Sequence, residues 1–176
     1  GSGPLYDGRR LLHYATHSRQ MIEPIEDAEA ICAVINDAAS VYRGVIPADR
    51  WHEPYMPVAE LRAELAAGVK FSCFRRDGRV AAVMGLQPVA DVALIRHAYT
   101  LTAQQGTGAG SRLLEHVRRQ AERPVLVGTW KAATWAVRFY ERRGFRLVDD
   151  EEKERLLRRY WSVPERQIAE SVVLRE

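Results

Sequence analysis

Hydrophobic residues recur along this chain with two different periods. Apolar positions fall three and four residues apart at Ile31, Val34 and Ile35, and again across 109–121, which is typical of helices with one buried face. Stretches such as 69–74 instead alternate or are continuously apolar, as strands are. The predicted elements are a strand near 21–22, helices from Asp27 to Gly44 and from Pro57 to Gly68, strands 69–74, 80–86 and 92–101, helix 109–121, strand 125–127, helix 132–143, strand 145–148, helix 149–159 and strand 167–174. This order predicts the α/β class: a single mixed sheet of six or seven strands with helices on both faces.

Two connections indicate how the strands pair. Asp77-Gly78 between two strands is a hairpin signal and predicts antiparallel pairing. The succession of strand 92–101, helix 109–121 and strand 125–127 instead predicts a parallel pair, because a crossover of this length returns the chain in the same direction. The connection 45–57 contains three prolines and several aromatic residues, so we expect it to be held by its own side chains or to line a site.

Chain length and composition favour one cytoplasmic domain. The chain has 176 residues, and we assign 17–176 to one domain and 1–16 to a tag remnant with a loose arm. No apolar run has the length of a membrane span or the form of a signal-peptide core, which predicts no membrane partner. Cys32 and Cys73 lack metal-ligand spacing, so we expect two buried, reduced thiols and no metal.

The basic residues are nearly all arginine, and the formal net charge is +3. Arginine suits bidentate contact with phosphate, so a phosphate-bearing cofactor or a nucleic acid would each explain part of this bias. Most arginines alternate with acidic residues, and no zinc finger, aromatic RNA-binding motif or basic arm is present. The sequence therefore disfavours a nucleic-acid partner, which would require binding that weakens steeply with salt.

Three alternating glycines, Gly106, Gly108 and Gly110, separate the strand 92–101 from the helix that follows. Because glycine has no side chain, an anion can approach the backbone at the start of a helix, where the N–H groups of the first turn are unpaired. The loop lacks the lysine of a Walker A motif, and Ser111 stands where a dinucleotide fingerprint has its last glycine. We interpret the loop as a pyrophosphate site, with a plain helix-capping turn as the alternative.

This stretch resembles the Q/R-x-x-G-x-G/A signature of the GNAT superfamily of acyl-CoA N-acyltransferases, with Gln105, Gly108 and Gly110 at its fixed places. The family's second signature, N-x-x-A-x-x-F-Y-x-x-x-G-F, is similar to residues 133–145, with Ala133 where the family has asparagine. The matching residues of that second signature are Ala136, Phe139, Tyr140, Gly144 and Phe145. Residues 156–167 also resemble a bacterial subgroup of the family.

The resemblance implies a GNAT fold and acetyl-CoA as cofactor, without a metal. It implies that the backbone of Ala98, Tyr99 and Thr100 pairs with the pantetheine arm, as an added strand would. It also implies a pyrophosphate cradle that begins at Gln105 and is built from the N–H groups of Gly106, Thr107, Gly108, Ala109, Gly110 and Ser111. The alanine at position 133 implies either weaker cofactor binding or a substitute hydroxyl from Thr134 or Thr129.

Acyl transfer to an amine requires an acid for the departing sulfur and a base for the amine. The resemblance places Tyr140 at the thioester sulfur, where its phenol would act as the acid. His97 and Glu53 are alternative bases, and Asp49 is a weaker one. The expected function is therefore transfer of acetyl from acetyl-CoA to a primary amine by direct attack.

The sequence allows either a small-molecule amine or a protein amine as the acceptor. It also allows either a monomer or a homodimer. A catalytically silent acyl-CoA-binding or regulatory domain is the alternative function. Residues that either form an aromatic wall for the acceptor or belong to the core are Trp51, Tyr55, Met56, Trp130 and Trp135.

Overall fold

A computed structural model describes residues 19–176, so the expectations for the tag remnant and the arm at 1–16 lie outside the described residues. The strands are β1 (Gln20–Ile25), β2 (Lys70–Arg76), β3 (Arg79–Val89), β4 (Val92–Thr100), β5 (Val125–Trp130), β6 (Arg146–Leu147) and β7 (Ser171–Arg175). The helices are α1 (Ala28–Ala38), α2 (Val58–Ala66), α3 (Ala109–Gln120), α4 (Thr134–Glu141), α5 (Asp150–Tyr160) and α6 (Glu165–Ala169). Short 3-10 turns cover Ala39–Tyr42, Ala48–Arg50 and Thr102–Gln104.

The strands form one mixed sheet in the order β1-β2-β3-β4-β5-β7-β6. β4 and β5 are parallel, while the other neighbouring pairs are antiparallel. The predicted fold class, hairpin and parallel crossover are therefore confirmed. In the described part of the chain, no helix is long and apolar enough to cross a membrane.

The prediction of a strand over 167–174 is wrong in its first half. Residues Glu165–Ala169 form α6, and the strand begins only at Ser171. Pro164, with a φ of −60°, precedes the first helical turn, and the helix buries Ile168. The valines after Ser171 give the region the pattern of a strand, so the sequence did not show where the short helix before them begins. The helix predicted at 132–143 and the strand predicted at 145–148 are shorter than expected at both ends.

Helices cover both faces of the sheet. On one face, α3 and α4 pack through Leu113, Val117 and Tyr140 onto the inner residues of β4 and β5. On the other face, α1 and α2 form a second cluster around Ile31 and Leu61, and α5 and α6 form a third. Both cysteines, Cys32 and Cys73, are buried and free, as predicted.

The sheet opens between β4 and β5. The two strands pair only through Ala93–Ile95 and Val125–Val127, and beyond these residues β5 pairs with β7. The register between β3 and β4 shifts between Val83 and Gly85 of β3. On β4, His97 lies opposite this shift and has a φ of 55°. This is a β-bulge, which bends a strand and re-aims its residues. The gap that results lies directly before the glycine loop.

Candidate functional site

A cavity of about 560 Å³ lies at the end of β4, between the glycine loop, the start of α3 and helix α4. Its size is within the range of small-molecule and cofactor sites. It brings together ten of the residues predicted for the site: Ala98, Tyr99, Thr100, Gln105, Gly106, Gly108, Ala109, Gly110, Ser111 and Tyr140. The end of β4, the glycine loop and helix α4 therefore converge on one space.

The glycine loop has the backbone that its sequence predicts. Gly106 and Gly108 have φ values of 76° and 85°, a region that favours glycine. Gly108 is the N-cap of α3, and its carbonyl accepts the first helical hydrogen bond from Arg112 at 3.0 Å. The N–H groups of the first three helical residues, 109–111, have no partner within the helix and carry its positive dipole end. This end of the cavity is suited to an anion.

Gly110 marks a close approach between three elements. A Cβ atom there would lie 3.2 Å from Thr100 Oγ1 and 3.6 Å from the ring of Phe139. The first turn of α3 is therefore pressed against the end of β4 and against α4. This packing sets the width of the cleft where the loop meets the strand.

Tyr140 forms the wall of the cavity on α4. Its ring makes edge-to-face contacts with Phe139 and Phe145, with centroids 5.1 and 5.5 Å apart. Burial, followed by the nearby Tyr42 phenol, raises the pKa of the Tyr140 hydroxyl well above its usual value. The hydroxyl therefore keeps its proton throughout the neutral and mildly alkaline range.

Sequence reasoning missed several lining residues, including Gln104 and Arg143. Gln104 Oε1 is buried without a hydrogen-bond partner among the described residues. Arg143 donates from Nε to Ser111 Oγ at 2.9 Å and from Nη1 to the Phe139 carbonyl at 2.8 Å. Arg143 occupies an unspecified position of the second signature, so its charge was the only signal that could have identified it.

An aromatic cluster lies beside the cavity, around Tyr42 at the end of the turn after α1. The Tyr42 ring stacks on Trp135 at 5.9 Å and approaches Tyr55 at 5.7 Å. Burial raises the pKa of Tyr42 to about 12, although side-chain hydrogen bonds with Tyr99 and Thr129 act in the opposite direction. Tyr42, Trp135 and Tyr99 also line the cavity, so this cluster forms its apolar end.

Ala133 is fully buried in the same cluster. It packs with Tyr42 and Ile46, and Trp130 lies against the group. An asparagine amide in this apolar setting would need partners to offset its desolvation. The alanine at the family's asparagine position is therefore consistent with the packing around it.

Four predicted residues do not line the cavity. Thr107 is exposed and donates its hydroxyl to the Gln104 carbonyl at 2.6 Å, and Thr134 is exposed at the start of α4. Glu53 is exposed and lies 3.6 Å from Arg43. His97 points its Nε2 at the Glu64 carboxylate on α2. The roles assigned to these residues stay predictions.

The acidic, histidine and cysteine side chains near the cleft do not form a metal site. Within residues 19–176, no group of three or more of these side chains is arranged to hold a metal ion. The polar groups that line the cavity are backbone N–H donors, one arginine, phenols, and the side-chain amides and hydroxyls of glutamine, serine and threonine.

The family model of the acetyltransferase (GNAT) domain matches residues 10–159. The chain therefore belongs to the GNAT acetyltransferase family, as the two signatures predicted. No curated protein matches the sequence significantly.

Solved structures with this fold include the PaiA N-acetyltransferase of Thermoplasma acidophilum in complex with coenzyme A, which is 14% identical with a TM-score of 0.67 and aligns 90% of this chain with 98% of its own. The ribosomal-protein-S18-alanine N-acetyltransferase of Escherichia coli is 15% identical with a TM-score of 0.60, over 89% and 92% of the two chains. The N-acetylglutamate synthase of Neisseria gonorrhoeae, complexed with coenzyme A and N-acetyl-glutamate, is 18% identical with a TM-score of 0.58, over 89% of this chain and 35% of that one. At these identities the likeness shows a common fold.

Proposed function

We propose that the protein transfers the acetyl group of acetyl-CoA to a primary amine by direct attack, with Tyr140 as general acid. The observation that carries this proposal is a single cavity lined both by the glycine loop at the start of α3 and by the buried Tyr140. One end of that cavity favours phosphate, and its wall offers a protonated phenol.

The residues present fit coenzyme A. The free N–H groups of 109–111 and the Arg143 guanidinium lie at the same end of the cavity, where they would neutralise the pyrophosphate. The backbone of Ala98–Thr100 faces the gap left by β5, where it would pair with the pantetheine arm. When bound, acetyl-CoA supplies an activated acyl group.

Tyr140 provides the proton that the departing sulfur requires. Its raised pKa keeps the phenol protonated at the working pH. A backbone N–H near the end of β4 stabilises the charge that develops on the carbonyl oxygen. The acceptor amine must lose a proton before it attacks, and His97 or Glu53 is the proposed base.

A catalytically silent acyl-CoA-binding domain is the second candidate function. Both proposed bases lie outside the lining of the cavity, which is the observation that favours it. Such a domain would bind the cofactor without transferring its acyl group.

Calorimetric titration with coenzyme A and acetyl-CoA tests the cofactor, and thiol release with a panel of amines tests the transfer. The panel includes small primary amines, a peptide with a free N-terminus and a peptide with an internal lysine. Acetyl-CoA without any amine is the control for hydrolysis. We expect binding and amine-dependent thiol release. Absence of binding would overturn the proposal, whereas binding without release across the panel would favour the silent domain.

A further inference from the structure

Two adjacent residues of β4, Arg96 and His97, both contact the carboxylate of Glu64 on α2. Arg96 Nη2 lies 3.3 Å from Glu64 Oε1, and His97 Nε2 contacts Glu64 Oε2. In a regular strand, neighbouring side chains point to opposite faces of the sheet. Both side chains reach one carboxylate because His97, with its φ of 55°, is the extra residue of the bulge.

The partners of Glu64 are themselves fixed. Arg96 donates from Nη1 to Gln87 Oε1 at 2.9 Å, and the His97 ring stacks on Phe71 with centroids 6.2 Å apart. Burial raises the pKa of Glu64, but hydrogen bonding and charge from His97, with the charge of Arg96, outweigh it and lower the pKa overall. Glu64 is therefore a carboxylate at neutral pH: the Arg96 guanidinium donates a hydrogen bond to one of its oxygens, and the His97 ring contacts the other.

The bulge lies where the cleft begins. On one side of it, Ala93–Ile95 pair with β5, and on the other side Ala98–Thr100 line the cavity. Gly85 faces Arg96 across the pair with β3, and a Cβ atom on Gly85 would lie only 2.8 Å from the Arg96 carbonyl oxygen. The two strands therefore approach each other closely beside the bulge.

Loss of the bulge would misplace the strand. A shift of register by one residue turns every following side chain to the opposite face. The side chains of Ala98 and Thr100 would then no longer lie on the face of the sheet that α3 covers, and the Tyr99 ring would no longer lie in the aromatic cluster. A left-handed backbone at a residue other than glycine is costly, so this conformation needs support from its surroundings.

We infer that Glu64 is a positioning residue: by holding Arg96 and His97 together it clamps the bulge of β4, and so keeps Ala98–Thr100 in place for the cofactor. The inference rests on the proposed cofactor, but it concerns a residue that does not line the cavity. Glu64 acts through the strand and touches no reacting atom.

Calorimetric titration of Glu64→Ala with coenzyme A tests the clamp. We expect binding weaker than that of the wild type by about tenfold, the scale of coupling between contacting residues. Glu60→Ala is the matched control, because Glu60 is an exposed glutamate one turn earlier on α2. Its affinity should equal that of the wild type. Glu64→Gln retains the side-chain volume and one acceptor oxygen, so it should bind more tightly than Glu64→Ala.

The His97→Gly background gives a second, independent test. Glycine takes a positive φ without support, so Glu64→Ala should weaken binding less in this background than in the wild type. Amide hydrogen exchange should accelerate at 98–100 in Glu64→Ala and stay unchanged in β1 and β2. A uniform acceleration would mean that Glu64 only stabilises the fold, and would overturn the inference.

The outcomes separate this inference from the proposed function. If the wild type binds coenzyme A and Glu64→Ala binds it equally well, the clamp is wrong and the cofactor stands. If the wild type does not bind coenzyme A, both are overturned. If Glu64→Ala does not fold, Glu64→Gln decides the question: weaker binding of coenzyme A at an unchanged melting temperature would support the clamp, and affinity equal to that of the wild type would contradict it.

Discussion

Replacing Tyr140 with phenylalanine removes only the hydroxyl group, which carries the proton that the proposed mechanism uses. The aromatic ring keeps its contacts with Phe139 and Phe145. Among the described residues, burial and the Tyr42 phenol, rather than a hydrogen bond, account for the pKa of the Tyr140 hydroxyl. Its loss therefore leaves no buried partner unsatisfied, and the free energy of unfolding should change by no more than about 0.5 kcal/mol.

The effect on turnover should be much larger than the effect on stability. General acids contribute about 10²- to 10⁴-fold, so kcat of Tyr140→Phe should fall at least about a hundredfold. This corresponds to about 2.7 kcal/mol in activation free energy. Affinity for coenzyme A should be unchanged, because in the proposed mechanism the phenol would act on the reacting atoms, whereas the phosphates would lie at the glycine loop.

Steady-state kinetics with an accepting amine, together with calorimetry and thermal melting, measure these three quantities. Tyr160→Phe is the matched control: the Tyr160 hydroxyl donates to Asp91 at 2.5 Å in the cluster under α5, away from the cavity. That variant should melt at a lower temperature and retain its kcat. A Tyr140→Phe enzyme with kcat within about threefold of the wild type would refute Tyr140 as the acid.

Two further predictions concern the glycine loop and the buried phenols. Gly108→Ala and Gly44→Ala each force alanine to a positive φ with no atom within 4 Å of the new Cβ, so each should cost about 1–2 kcal/mol of stability. Only Gly108→Ala should weaken coenzyme A binding in calorimetry, and equal affinity for the two variants would contradict the cradle. The folded pKa values of Tyr42, Tyr99 and Tyr140 are raised, so their contribution to stability is complete below the unfolded value of about 10 and is lost as pH rises through the folded values, near 12 for Tyr42. The melting temperature should therefore be insensitive to these phenols up to about pH 10 and fall steeply above it, and a fall centred below pH 9 would show that other groups dominate.

Local sequence patterns were enough to predict most of the architecture. The helix after the glycine loop carries its own start signal and one apolar stripe, and α3 follows both. The same reasoning failed at α6, where a five-residue helix is too short to show a period and the apolar strand after it controls the pattern. Short elements are defined by their tertiary contacts, such as the burial of Ile168.

The candidate site was predictable where it is contiguous in sequence. The loop from Gln105 and the tyrosine of the second signature were found because each lies within a local motif. Tyr42 joins the cavity from the opposite face of the sheet, and Glu64 meets His97 across 33 positions of chain, so no local pattern contains either contact. Residues of this kind can be identified only from the three-dimensional structure, because their contacts join distant parts of the chain.

The short pairing between β4 and β5 has a mechanical consequence. Only Ala93–Ile95 and Val125–Val127 join the two parts of the sheet, β1–β4 on one side and β5–β7 on the other. Three residue pairs join the strands at this junction, against seven between β3 and β4 and five between β5 and β7. A twist at this junction would therefore meet less resistance than one at either neighbouring pairing, and it would widen or narrow the cleft beside the end of β4.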